Sequence, residues 1–210
     1  MRLGRLAACG GVAGPLLFTT AWVVSSLRQA GQPAAGVQLS GLAAEDAGDP
    51  QIMVAAFVVL GACSAGFGGA LQKAAGHRPA GPWLVMIAGA AAIAAGVFRR
   101  DHMLLTGPGF AGESWHNQVH DVASGVAYGA MLTAPLVLAR QFRADPPWAV
   151  IARPVQVLAV ASAAAMAVFA SGALEPWNGA VQRAAVTLTL AAEALAAARM
   201  LTLPEARLLS

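Results

Sequence analysis

The sequence predicts an all-α fold, a polytopic bundle of six membrane-spanning helices, and three observations carry that prediction. Of its 210 residues, 58% are hydrophobic and only 11% charged, and the mean hydropathy is +0.63, whereas soluble domains average ~45–50% apolar and ~25% charged residues. A soluble fold of this size cannot hide that much apolar surface, because even a domain of ~150–300 residues leaves about a quarter or more of its chain's surface in contact with solvent. The apolar residues also gather into six windows of about the length a bilayer requires, ~20 residues each. Finally, the Lys and Arg residues segregate by loop, as they do in polytopic membrane proteins.

The six windows are Leu6–Leu27, Gln51–Leu71, Pro82–Phe98, Val119–Ala139, Val150–Ser171 and Asn178–Met200. The first begins after Arg2 and Arg5 and includes Leu6-Ala7-Ala8-Cys9, which looks like a lipoprotein cleavage box. Its apolar stretch follows Cys9 and is long enough to span, so it reads as a helix rather than a removed leader. The third window is short and the fifth contains Pro154. The longest break, residues 28–50, is too short for a soluble domain, so residues 1–210 form one transmembrane domain. That break carries Glu45, Asp46 and Asp49 with no basic residue after Arg28, and is expected to form a lid or a short interfacial helix, with a cation site as the alternative.

Orientation follows from charge. Arg2, Arg5, Lys73, Arg78, Arg140, Arg143, Arg153, Arg199 and Arg207 fall on one side, and Arg28, Arg99, Arg100 and Arg183 on the other. The richer side is expected to be cytoplasmic, with both termini there and the bundle in the cell (inner) membrane. Trp83 and Trp148 fall at predicted inner boundaries, Trp22, Trp115 and Trp177 near outer ones, where indoles collect. The formal charge of +3 comes from 13 Lys+Arg against 10 Asp+Glu, too few for a phosphate-tracking surface, so nucleic acid is not an expected partner. Membrane lipids are.

Cys9 and Cys63 read as small buried hydrophobes with no disulfide between them. Small residues four apart, Gly10/Gly14, Gly66/Ala70, Ala90/Ala94 and Gly125/Gly129, predict close helix packing inside the bundle, with homodimerisation as the alternative. Glu193, six residues before Arg199, is expected to snorkel towards the cytoplasmic interface, with a proton relay as the alternative.

Ionisable groups near lipid are costly, so their placement is informative. They cluster on the outer side: Arg99, Arg100, Asp101 and His102 after the third helix; Glu113, Trp115, His116, Asn117, His120 and Asp121 leading into the fourth; Glu175, Trp177, Asn178, Gln182 and Arg183 around the start of the sixth. On a helix starting near Ser114, His116, His120 and Ser124 share one stripe that Tyr128 extends, with Asn117 and Asp121 on a neighbouring one. Such a polar file belongs in the bundle interior and implies an outward-facing pocket. Three chemistries fit it. His116, His120 and Asp121 have ligand types and spacing suited to a divalent metal such as zinc. His116 or His120 with Asp121 or Asp101 supplies a general acid or base, with Ser124 as nucleophile. Arg99, Arg100 and Arg183 against Asp101, Asp121 and Glu175 form a structural ion-pair network.

Five segments together resemble a known family: Gly14-Pro15 with Trp22; Val37-Gln38-Leu39-Ser40-Gly41-Leu42; Gly96-Val97-Phe98-Arg99-Arg100-Asp101; His116 with His120-Asp121-Val122-Ala123-Ser124; and Gly179 to Gln182-Arg183. They are similar to the bacterial six-helix membrane family catalogued as domain of unknown function 998, which itself resembles the DRAM-like membrane proteins. The resemblance implies the architecture and a polar cluster centred on Asp101, His120 and Ser124, but no reaction. In that family the third helix ends Gly-x-Phe-Pro-x-Asp; Arg99 stands here in place of the proline, so the bend that a proline imposes is an open question. The function expected is binding of a lipid or small apolar ligand, with Arg99, Arg100, Asn117, Glu175 and Arg183 around its polar end. The alternatives are an intramembrane enzyme, hydrolase or proton-initiated cyclase, and a membrane scaffold.

Overall fold

Hydropathy and helix length fix the first layer of the architecture. A computed structural model describes residues 2–29, 34–74, 79–104 and 114–204. Six helices run α1 (Arg2–Leu27), α2 (Pro50–Ala74), α3 (Ala80–Val97), α4 (Trp115–Arg143), α5 (Pro146–Ser171) and α6 (Asn178–Leu201), each long and apolar enough to cross a membrane. They extend the predicted windows by a few residues, because the flanking turns include polar positions that a hydropathy window trims. Pro15, Pro135 and Pro154 lie inside α1, α4 and α5 without ending them; neighbouring helices make interior prolines tolerable in membrane bundles.

Each helix packs against its neighbours in sequence and α1 closes the ring against α6. An even number of alternating helices puts Arg5, Lys73, Arg140, Arg143 and Arg199 at the end where the chain starts and finishes. Arg28, Arg99, Arg100 and Arg183 lie at the opposite end. Arg78, Arg207 and Glu113 fall outside the described residues.

At the terminal end, Ala8, Phe67, Leu71, Phe142, Trp148, Ala196 and Met200 belong to one core. Trp148 is fully buried and stacks on Phe142, ring centroids 4.6 Å apart, so it is a core residue rather than the interfacial anchor expected. Trp83, Trp115 and Trp177 are exposed. Cys63 is half-buried and Cys9 exposed, not buried as expected; both are free thiols.

The small-residue pairs divide. Gly14 lies hard against Cys63, but Gly66, Gly125 and Gly129 face open space. Among the described glycines, the closest approach of one helix to another is one that four-residue spacing did not reveal: Gly61 of α2 and Gly89 of α3 lie backbone to backbone, where an added Cβ at either would sit about 2.4–2.5 Å from the other's carbonyl oxygen.

The segment between α1 and α2 departs furthest from expectation. Its described residues 34–49 form no interfacial helix: they turn into the mouth of the bundle with one short 3-10 turn, Gly41–Ala43. Val37, Leu39, Leu42, Ala43 and Ala44 are all essentially inaccessible to solvent. With Phe18, Met53, Leu60, Val186 and Leu190, the first four of these form a second core. The segment is a plug.

Candidate functional site

Irregular backbone at membrane depth must have its N–H and C=O groups satisfied by protein, and the buried polar side chains around the plug do this. Arg183, buried on α6, donates from Nη2 to the carbonyl of Val37 (2.7 Å) and from Nη1 to that of Ala34, while its guanidinium lies over the Trp22 ring, 5.4 Å from the centroid. Gln182 accepts from the Leu39 N–H (2.7 Å) and donates to the Tyr128 hydroxyl (2.9 Å). Gln29 accepts from the N–H and donates to the carbonyl of Gly48. Arg100 reaches Gln38 and Ser40.

The acidic residues of the plug fasten its rim. Arg28 pairs with Asp49 (2.6 Å), Arg99 with Glu45 (3.8 Å) and His102 with Asp46 (3.5 Å), and Asp46 also accepts from the Met103 N–H. Among the described residues, these ion pairs do not join the arginines to Asp101, Asp121 or Glu175. Arg183 holds carbonyls, Arg99 holds a residue of the plug, and Glu175 is exposed in a 3-10 turn before α6.

Asp101 has a local duty. Its carboxylate accepts from the Ser114 hydroxyl (2.6 Å) and N–H (2.7 Å), and these two bonds hold its pKa below the usual carboxylate range. Ser114 in turn caps α4 by accepting from the Asn117 N–H. Buried Asn117 accepts from the Asp101 N–H and donates to Asp121, whose side chain is otherwise exposed.

His116 and His120 part company. His116 is exposed, its ring edge-on to Trp115 at 3.8 Å and 6.3 Å from Phe98. His120 is 1% exposed; its Nδ1 lies 2.8 Å from the carbonyl of Ala95 and 2.9 Å from that of Phe98. The first carbonyl lies in the last turn of α3 and the second on its C-cap residue, where helical partners run out. Two carbonyl acceptors require the proton on Nδ1, which leaves Nε2 an acceptor for the Ser124 hydroxyl at 3.1 Å. Phe98 itself is extended, φ −90° and ψ 92°, the conformation that a following proline would enforce; the chain makes this turn with Arg99 in proline's place. His116, His120 and Asp121 therefore do not converge, and among the described residues no three His, Cys, Asp or Glu side chains are grouped to hold a metal ion.

Beneath the plug lies a cavity of about 60 Å3, several times the ~10–15 Å3 one water needs. Leu39 and Ser40 roof it, Phe18, Phe57, Leu60 and Met131 form much of its wall, and its other polar residues are Ser64, Ser124, Tyr128 and Glu193. Sequence reasoning stopped at Tyr128. Glu193 does not snorkel towards Arg199, which is bound to the Pro147 carbonyl and the Thr202 hydroxyl. It points into the bundle and lines the cavity together with Ser64. The spacing Gln182, Val186, Leu190, Glu193 on one face of α6 was the available signal; Ser64 had none beyond being a hydroxyl in an apolar helix.

Six spanning-length helices closed in a ring around a plugged internal cavity define a polytopic membrane protein. Residues 12–199 match the family described as protein of unknown function (DUF998), and the chain belongs to that family. No curated protein and no solved structure matches it.

Proposed function

We propose that this protein resides in the cell membrane with both termini cytoplasmic and binds a lipid or small apolar ligand in the cavity beneath the plug. The observation that carries this reading is the cavity itself: apolar walls from several helices, with a few hydroxyls and one carboxyl placed on them, the usual constitution of a small-molecule site. Arg100 and Arg183 are bonded to the plug and Asn117 to Asp101, which supports placing the ligand's contacts on the groups below. A filled-cavity variant tests this. Native mass spectrometry of wild type in mild detergent is expected to show one co-purifying apolar molecule, absent from folded Ala127→Phe; equal retention by both proteins, or none by either, would overturn the reading.

One geometric observation favours a second reading, an intramembrane hydrolase. Ser124 lines the cavity and its hydroxyl faces the Nε2 of a histidine whose other nitrogen is anchored, the arrangement of a base-activated nucleophile. The anchor is a pair of carbonyls rather than a carboxylate, so the imidazolium formed by proton transfer has dipoles but no negative charge beside it. A small alkyl fluorophosphonate is expected to label Ser124 in wild type and not in His120→Gln; no labelling of folded wild type counts against the enzyme.

A further inference from the structure

Glu193 is the one group in the cavity whose chemistry neither helix packing nor plug anchoring uses. It sits 15 residues into α6 and 8 from its end, about 22 Å and 12 Å along the axis at 1.5 Å per residue, well inside a ~30 Å hydrocarbon layer. A carboxyl at that depth is expensive and marks a functional site by default. Its Oε1 is buried and meets no hydrogen-bond partner. It lines the plugged cavity and also the adjoining one towards the terminal end, beside Thr189 and Pro135. Among the described residues no Lys, Arg or His lines either cavity. The titratable groups that face it are Cys63 from α2 and Tyr128 from α4; α1 presents Phe18, and α3 only Ala88, Gly89, Ala92 and Ala95.

We propose that Glu193 and Ser64 form the polar end of the binding site and receive a primary ammonium carried on a slender apolar body. The inference rests on the cavity-binding reading above and names the ligand class for it. An ammonium has three N–H donors and no acceptor, which complements a carboxylate oxygen without a partner and a serine oxygen beside it. The rings of Phe18 and Phe57, edge to face at 5.1 Å, line the same wall and favour a cation over an anion. Hard metal ions need six or more oxygens, more than this cavity offers, and a carboxylate or phosphate headgroup is repelled by Glu193.

Three probes of equal length separate the alternatives: octylamine, 1-octanol and octanoate, titrated against the purified protein in mild detergent while its thermal transition is followed. Ligands that bind only the folded state raise the transition. Wild type is expected to respond most to octylamine and not to octanoate. Glu193→Gln is expected to need at least tenfold more octylamine for the same shift while keeping its response to octanol. Should Glu193→Gln fail to fold, Ser64→Ala is expected to weaken octylamine about threefold. Equal responses to amine and alcohol in wild type and variant, or a preference for octanoate, would overturn the ammonium site and leave the cavity reading standing; no response to any probe would overturn both.

Discussion

At the terminal end of the bundle, helix packs directly on helix: Trp148 on Phe142, with Phe67, Leu71 and the alanines of α6 around them. At the other end the same ring of helices surrounds a non-helical segment, and the buried positions include Arg183, Gln182, Gln29 and Arg100. The difference follows from what each end must satisfy. Helices bring their backbone hydrogen bonds with them, so their contacts need only shape. Irregular chain brings free carbonyls and N–H groups, and each needs a side-chain partner in a place without water. Arg183, Gln182 and Gln29 are thus each bonded to backbone groups of that segment.

The largest effects are expected where either end loses its central member. Trp148→Ala removes a fully buried aromatic side chain and should cost about 3–5 kcal/mol, read as a global loss of thermal stability. Arg183→Ala strands the carbonyls of Ala34 and Val37. Losing two hydrogen bonds to a charged group, at about 1.5–3 kcal/mol each, predicts a loss of about 3–6 kcal/mol. Here the damage should be local: amide exchange accelerates at residues 37–44 before the helices respond. Equal acceleration in α5 would mean that the plug is not a separate unit.

Next comes helix contact. Gly61→Ala forces the α2 and α3 backbones apart and is expected to cost about 1–3 kcal/mol. Gly125→Ala meets nothing within 4 Å and should be neutral or up to about 1 kcal/mol stabilising, because alanine is the better helix former. Thermal transitions of the two variants, measured side by side, test whether glycine spacing or actual backbone approach decides the outcome.

These contrasts show which features were legible in sequence. Spanning helices have a strong signal, length times hydropathy, and all six appear within a few residues of expectation. The inward stripe of α4 was legible from His120 to Ser124 and Tyr128, because helical period is a reliable guide within a helix. It failed at His116, which sits in the first turn of α4 and is exposed. The plug was not legible: it has no period, and its acidic residues resemble any solvated loop until the partners Arg28, Arg99 and His102 are in place. Trp148 was misplaced because an indole near a helix start fits the interface and the core equally well. Glu193 was misplaced for a related reason, since Arg199 lies within snorkelling distance in sequence but is bound to Pro147 in space.

The smallest expected effect concerns the join between α3 and α4. Asp101 holds Ser114, and Ser114 caps α4, so the Asp101 carboxylate links the two helices through two hydrogen bonds at an exposed site. Because solvent competes there, Asp101→Asn should cost less than about 1 kcal/mol at neutral pH. The pH dependence gives the clearer test. Hydrogen bonds to the charged form depress the folded-state pKa, so the stabilisation is fully present above the unfolded value, near ~3.9, and disappears as pH falls through the lower folded value. The stability difference between wild type and Asp101→Asn should thus be constant from neutral pH to about pH 5 and shrink below pH 4. A difference that instead grows on acidification would mean that Asp101 is protonated in the folded protein, and that Ser114 serves α4 without it.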